Sequence, residues 1–416
     1  MTATDTHHAI DAVWRIEQAK LIAGLARLVR DVGLAEELAQ DALVAALEQW
    51  PSSGVPDNPG AWLMATAKHR AIDLIRRNET LKRKTEELER SYEGVEEVDF
   101  AAAADDDIGD DLLSLIFMVC HPVLSREART ALTLRLLGGL STAEIARAFL
   151  APEATIAQRI VRAKRTLAAA GVRFEVPSGD DRAARLGSVL EVVYLVFNEG
   201  YSASAGDDWM RPELCSDALR LGRILVALCP DEPEVHGLVA LMEIQASRMR
   251  ARLDSRGRPV LLLDQDRGRW DQLLIRRGLV ALERALALGG SLGPYALQAG
   301  IAACHARARR PEETDWERIA ALYDALAQLS PSPVVELNRA VAISMAFGPL
   351  EALALIDELR AGGSLDGYHR LAAVRGDVLA RLGRVDEARV ELARAAEQTE
   401  NAQERELLVA RIAGLA

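Results

Sequence analysis

From Leu34 to Arg77 apolar residues recur at helical spacing, and a Pro/Gly segment cuts the pattern in two. In the first half, LAEELAQDALVAALEQW, residues Leu34, Leu38, Ala42, Leu43, Ala46, Leu47 and Trp50 make one apolar face. Glu37, Gln40, Asp41 and Glu48 lie off that face, so a buried side and an acidic side share one helix. The run PSSGVPD at 51–57 reads as a loop, because proline does not continue a helix interior. The second half, NPGAWLMATAKHRAIDLIRR, starts with Asn58 as an N-cap and Pro59 in the first turn, where its missing N–H costs nothing. Leu63, Ala67, Ala71, Ile72, Leu74 and Ile75 suit a core. Lys68, His69, Arg70, Asp73, Arg76 and Arg77 cannot all join them. An acidic helix therefore precedes a basic one in a single packed unit.

Such a unit needs neighbours of the same kind. Aromatic residues are 4% of the chain and apolar residues 50%, mostly Ala, Leu and Val, which favours an all-α fold. A length of 416 residues allows two or three domains with their own cores. Ile10 to Arg30 reads as a helix whose Val13, Ile16, Leu21, Leu25 and Leu28 pack on the Leu34 helix. After Arg77 the basic run continues, and then the sign reverses. Residues 86–111, EELERSYEGVEEVDFAAAADDDIGDD, hold twelve acidic residues and one Arg and read as an acidic linker.

Helical periodicity returns at 112–150. Ser125 opens a helix that Gly138–Gly139 stops, and Ser141 with Glu144 forms a capping box. The stretch STAEIARAFLAPEATIAQRIVRAKRTLA, Ser141–Ala168, then reads as a helix-turn-helix with its turn at Ala151–Glu153. Ile156, Ile160, Ala163 and Leu167 pack inward, leaving Thr155, Gln158, Arg159 and Arg162 near one exposed face. Gln and Arg read adenine and guanine edges bidentately, while Lys164 and Arg165 suit phosphates. The net charge of −12 argues against non-specific nucleic-acid binding by the whole surface. The charge is local, however. Residues 68–84 carry seven basic and two acidic residues, and 156–173 carry five basic and none acidic.

These two blocks, in this order, resemble regions 2 and 4 of bacterial RNA polymerase sigma factors of the extracytoplasmic-function (ECF) type, over about the first 175 residues. The resemblance implies that Glu37, Gln40 and Asp41 dock on core RNA polymerase. It implies that Trp62, Thr66, Lys68, His69 and Arg70 contact the opened −10 strand of promoter DNA, with Arg76 and Arg77 on phosphates. Thr155, Gln158, Arg159, Arg162, Lys164 and Arg165 would serve the −35 element. Ala154 and Ala157 stand where polar or basic residues are common, which leaves the −35 sequence open. Trp62 suits a core equally well.

An ordinary member of that group would end near Arg173. Here the chain continues from 176 through a helical segment to 416, and the domains read as 1–85, the linker 86–111, 112–175 and 176–416. In Leu371–Glu400, residues Gly376, Leu379, Gly383, Ala388, Leu392 and Ala395 occupy the small and apolar positions of a tetratricopeptide (TPR) repeat. Ala340, Ile343, Ala352 and Ile356 mirror part of it 36 residues earlier. An irregular helical bundle is the alternative. The layout resembles the ECF subgroup with a TPR-like extension, and FNEGYSAS (197–204) and LLLDQDRGRWD (261–271) look like signatures of that extension. The extension is expected to regulate, through a protein or peptide partner or as a clamp on the DNA-binding parts.

Other chemistry is not evident. The four cysteines show no CxxC spacing and read as buried hydrophobes in a reducing compartment. Asp264, Asp266, Arg267, Arg269 and Asp271 read as a loop of salt bridges anchored by Trp270 rather than a metal site. Asn198, Glu199 and Tyr201 near Trp209 read as a polar loop between helices. No phosphate loop, HExxH or GxSxG occurs, so no enzyme, cofactor or metal is expected. No apolar run approaches a membrane span and the start lacks a signal peptide, so a cytoplasmic protein without a membrane partner is expected. The rival reading is a helix-turn-helix regulator with a ligand- or protein-sensing helical domain, which leaves 34–77 idle.

Overall fold

The computed structural model describes residues 3–89, 108–149, 151–202, 209–289 and 292–415. Most of the expected acidic linker, including Asp105–Asp107, lies outside them. The fold is all-α. Among the described residues no strand forms, and Leu253 and Pro259 make one isolated bridge. The chain divides into two compact units, Met1–Val192 and Val193–Ala416.

The first unit starts with α1 (Ala3–Val29), α2 (Val32–Ser53) and α3 (Pro59–Glu89), which pack on one another. Asp31 caps α2 by accepting from the Gly33 and Leu34 amides. The inner face of α1 runs through Ile10, Gln18, Leu21, Ile22 and Leu25. Ile16, expected in the core, is 61% exposed. It stands two residues before Gln18, about 200° round the helix from that inner face. A second correction concerns Pro51. Helix α2 runs through it to Ser53, because the proline falls in the last turn, where only one backbone bond is lost. Gly54 ends the helix at φ 84°, its N–H bonded to Trp50 O at 2.9 Å, and the Ser52 and Ser53 hydroxyls donate to Gln49 O. Asn58 caps α3 through the Ala61 amide at 3.1 Å, as expected.

The unit continues with α4 (Ile108–Val119), α5 (Arg126–Thr133), α6 (Thr142–Ala148), α7 (Glu153–Ala169) and the first part of α8 (Gly179–Tyr201). A π-helical turn at Leu134–Gly138 follows α5, and Gly139 stops it at φ 77°. The expected capping box is present: the Ser141 amide donates to Glu144 Oε2 at 2.7 Å, and the Glu144 amide to Ser141 Oγ at 3.2 Å. Helix α4 packs on α1, and the π turn also reaches α1. Residues beyond 175 join this unit: Arg185 donates to Phe117 O at 3.2 Å and Ser188 to Cys120 O at 2.7 Å.

The second unit holds α9 (Pro212–Leu228), α10 (Pro233–Ala246), α11 (Gln272–Ala287) and α12 (Pro294–Arg307). Helix α10 is buried nearly all round by α9, α11 and α12. Gly237 permits the close crossing of α10 and α12, since a Cβ there would lie 2.7 Å from the Ala296 nitrogen. Six helices follow: α13 (Trp316–Leu329), α14 (Pro333–Ala346), α15 (Pro349–Ala361), α16 (His369–Arg381), α17 (Val385–Gln398) and α18 (Ala402–Ala413). Each packs on the next, and short connections make neighbours antiparallel. The positions of the weak repeat lie at these crossings. Ala340, Ala352, Ile356, Leu379, Ala388 and Ala395 are fully buried. Gly376 lets α16 approach Leu392 of α17, where a Cβ would come within 2.8 Å.

Candidate nucleic-acid interface

The three residue sets expected from the sequence lie on three helices of the first unit, α2, α3 and α7. On α2, Glu37 and Asp41 are exposed and Gln40 is half-buried. Gln40 Nε2 donates to Glu36 Oε1 at 2.9 Å, which fixes its amide against the helix. Asp41 pairs with Arg70 of α3 at 3.3 Å. One residue expected on polymerase and one expected on DNA are therefore side by side. Both are well exposed, so the pair contributes little to stability.

On α3, His69, Arg70, Arg76 and Arg77 are exposed, while Trp62, Thr66 and Lys68 are half-buried. The Thr66 hydroxyl donates to its own helix, to Trp62 O at 2.8 Å. The Trp62 ring packs edge-to-face on buried Trp50, with centroids 5.3 Å apart. Trp62 thus rests on the α2–α3 core and keeps part of its surface open. His69 follows Lys68 round the helix, so the cationic side faces away from Leu63, Ala67 and Ala71, which are buried.

Helix α7 has the expected division of faces. Ile156, Ile160, Ala163 and Leu167 are buried, and α5 and α6 pack on that side. Thr155, Gln158, Arg162 and Arg165 are exposed and Arg159 is half-buried. Hydrogen bonds from its own backbone and from Ser125 hold the Glu127 carboxyl below the usual range, with smaller contributions from Arg159 and Arg126. Lys164 differs from the others. Its ammonium forms an ion pair with Glu36 of α2.

Glu36 is the residue that the sequence reading missed. The residue is 4% exposed, on the core side of α2 between Ala35 and Leu38. One oxygen takes Arg135 Nε at 2.7 Å and the Gln40 amide; the other takes Lys164. Gln18 of α1 donates to Arg135 O at 3.0 Å, so α1, α2, the π turn and α7 meet at this point. The sequence signal was an acid on an apolar stripe with no cation one turn away on its own helix.

In the second unit, the 264–271 loop is held mainly by backbone oxygens, which corrects the expected salt bridges. Arg267 is buried and donates to His305 O and Ala308 O, both at 2.8 Å, and to Thr314 Oγ1. Asp266 and Asp271 accept backbone amides as helix caps. Trp270 is the buried anchor that was expected. Near Trp209, Glu199 is ion-paired with Arg211. Among the described residues no His, Cys, Asp and Glu group could hold a metal ion, and no helix is long and apolar enough to cross a membrane.

Comparison with known families agrees with this geometry. Residues 15–80 match sigma-70 region 2, and residues 114–167 match sigma-70 region 4. Residues 185–286 match a family of unknown function, DUF6596. A probable ECF RNA polymerase sigma factor SigI of Mycobacterium tuberculosis is 26% identical over 161 residues, 39% of this chain and 55% of that protein. The uncharacterized protein R00370 of Rhizobium meliloti is 45% identical over 401 residues, 95% of this chain and 93% of that protein. The chain belongs to the same family as this Rhizobium meliloti protein, and it carries sigma-70 regions 2 and 4 ahead of a DUF6596 segment.

Proposed function

We propose that the chain is an ECF-type sigma factor that binds core RNA polymerase and directs initiation at promoters with two elements. Glu37, Gln40 and Asp41 meet the polymerase. Trp62, Thr66, Lys68, His69 and Arg70 take the opened −10 strand, and Arg76 and Arg77 its phosphates. Thr155, Gln158, Arg159 and Arg162 read the −35 duplex, with Lys164 and Arg165 on its backbone. A polymerase partner implies a cytoplasmic protein. The observation that carries the reading is the presence of both cationic faces in one chain, on α3 and on α7, each within the matching sigma-70 region. A duplex-binding regulator needs only the second.

The segment 176–416, most of which lies in the second unit, is the regulatory part of this proposal. Paired helices from α13 to α18, with small residues at their crossings, support a TPR-like stack that offers a groove to a protein or peptide. The test of the main reading is transcription by purified core polymerase on a promoter library with the full chain. Discrete start sites that depend on the chain, and that Gln158→Ala with Arg162→Ala removes, are expected. Tight duplex binding by the chain alone, with no initiation, would favour a helix-turn-helix regulator instead.

A further inference from the structure

The proposed function leaves idle the two stretches that the sequence marks in the second unit, 197–204 and 261–271. Ala203 and Ser204 lie outside the described residues. The structure joins the two stretches through SRMRARL at 247–253. Arg252 Cζ lies 3.8 Å from the centre of the Tyr201 ring and 5.4 Å from that of Trp209. Arg248 lies 5.6 Å from Tyr201 and 5.9 Å from Trp270, and Arg267 lies 5.1 Å from Trp270. Three guanidinium groups thus interleave with three aromatic rings.

Two of these arginines are occupied by oxygen acceptors. Arg252 donates to Tyr201 O, and both terminal nitrogens of Arg267 are bonded as described. Arg248 lies against the Tyr201 and Trp270 rings. Arg248 Nε, Arg267 Nε and Trp270 Nε1 are buried N–H groups that donate to no protein acceptor, and Trp270 is 3% exposed. Buried donors of this kind are costly to leave unmatched.

The same Trp270 lines an open cleft of about 580 Å³ with Arg250, Gly268, Arg269 and Asp271. Two nearby carboxylates each hold backbone amides through one oxygen. Asp271 accepts the Leu273 and Leu274 amides at 2.9 and 3.1 Å, and Asp266 accepts the Gly268 amide at 2.9 Å. Arg269 keeps one bond, to Leu253 O at 3.2 Å. Residues 248–271 hold seven arginines and four aspartates, a net +3 within a chain of −12. The positive field reaches the interior: burial first, and then Arg248 and Arg267, push the buried His305 imidazole down to about 3.

Of the residues that line this cleft two are arginines and one is a carboxylate, and the buried Trp270 N–H has no protein acceptor. We propose that the cleft binds a small phosphate-bearing molecule, with Arg250 and Arg269 supplying the charge and Trp270 a wall. A phosphate group offers more acceptor oxygens and more charge than a carboxylate, and guanidinium forks match its geometry. The site does not depend on the sigma reading, because none of its residues belongs to the two DNA-facing helices.

The test is calorimetric titration of the full chain with sodium pyrophosphate at fixed ionic strength. Saturable binding is expected. Arg250→Gln with Arg269→Gln, both at exposed positions, should weaken it roughly tenfold or more. No saturable heat up to about millimolar pyrophosphate, or equal affinity in the double variant, would overturn the proposal. So would binding of a short DNA duplex that the same variants abolish while pyrophosphate gives nothing, because the arginines would then belong to a nucleic-acid surface.

Discussion

The Glu36 carboxylate accepts Nε of Arg135 at 2.7 Å across 99 residues of sequence, and the residue is 4% exposed. Its second oxygen holds Lys164. Glu36→Ala would leave two partly buried cations without their anion. A loss of about 3 kcal/mol in the stability of the first unit is expected. Glu36→Gln keeps the shape and one acceptor and should cost less. Urea denaturation of the full chain, with the first unit followed by hydrogen exchange in α2 and α7, checks both. An unchanged exchange pattern in Glu36→Ala would mean that the three groups are not coupled.

Lys164 cannot serve Glu36 and a DNA phosphate at once. On the sigma reading, promoter engagement exchanges one anion for the other. Glu36→Gln should therefore raise promoter-complex formation by the holoenzyme several-fold at limiting protein, despite its lower stability. Lys164→Met should lower it and reduce the salt slope by about one unit. Filter binding across a salt series reads both. If the two variants shifted affinity in the same direction, the exchange would be wrong.

These two residues also mark where sequence reading stops. The capping box of Ser141 and Glu144 was legible because both partners sit within one turn. The buried face of α7 was legible because Ile156, Ile160, Ala163 and Leu167 repeat at the helical period. Trp270 was legible as an anchor because a large ring in a polar loop has few other uses. Periodicity gives the face of a helix and not its partner, so the pairing of Glu36 with residues 99 and 128 positions away left no local trace. The same limit misplaced Ile16, whose apolar side chain looked like core although its phase on α1 turns it outward. Loop arginines defeat the method in a different way. Their type suggests salt bridges, but Arg267 takes carbonyl oxygens that only the folded backbone brings together.

All four cysteines are buried. Burial pushes the Cys120 thiol up to about 11, against a smaller opposing effect of its contact with Thr133, and pushes Cys215 up to about 12. At pH near 8 almost no thiolate exists at either site, and the thiolate is the reactive form. Ellman's reagent should titrate no fast thiol in the native chain, with rates at least about a hundredfold below a free cysteine. After unfolding in guanidinium it should titrate four. A single fast equivalent in the native protein would place one cysteine at the surface.

His305 makes the second unit sensitive to acid. The ring is 7% exposed, packs edge-to-face on Trp316 at 5.1 Å, and is pushed from 6.5 down to about 3 by burial and by the positive charges of Arg248 and Arg267. Above pH 6.5 the ring is neutral in both the folded and unfolded chains, and its contribution to stability is fully present. As the pH falls below 6.5 the unfolded chain takes up a proton that the folded chain refuses, so stability falls until about pH 3. Between pH 7 and pH 5 the loss from this one group is about 2 kcal/mol. His305→Asn removes the titration, and the difference in stability between pH 7 and pH 5 should shrink by that amount, whatever the variant costs at pH 7. Urea denaturation of both proteins at the two pH values measures it. Equal pH dependence in wild type and variant would show that the imidazole takes up its proton as readily in the folded chain as in the unfolded one. Neither burial nor the two arginines would then disfavour the charged ring.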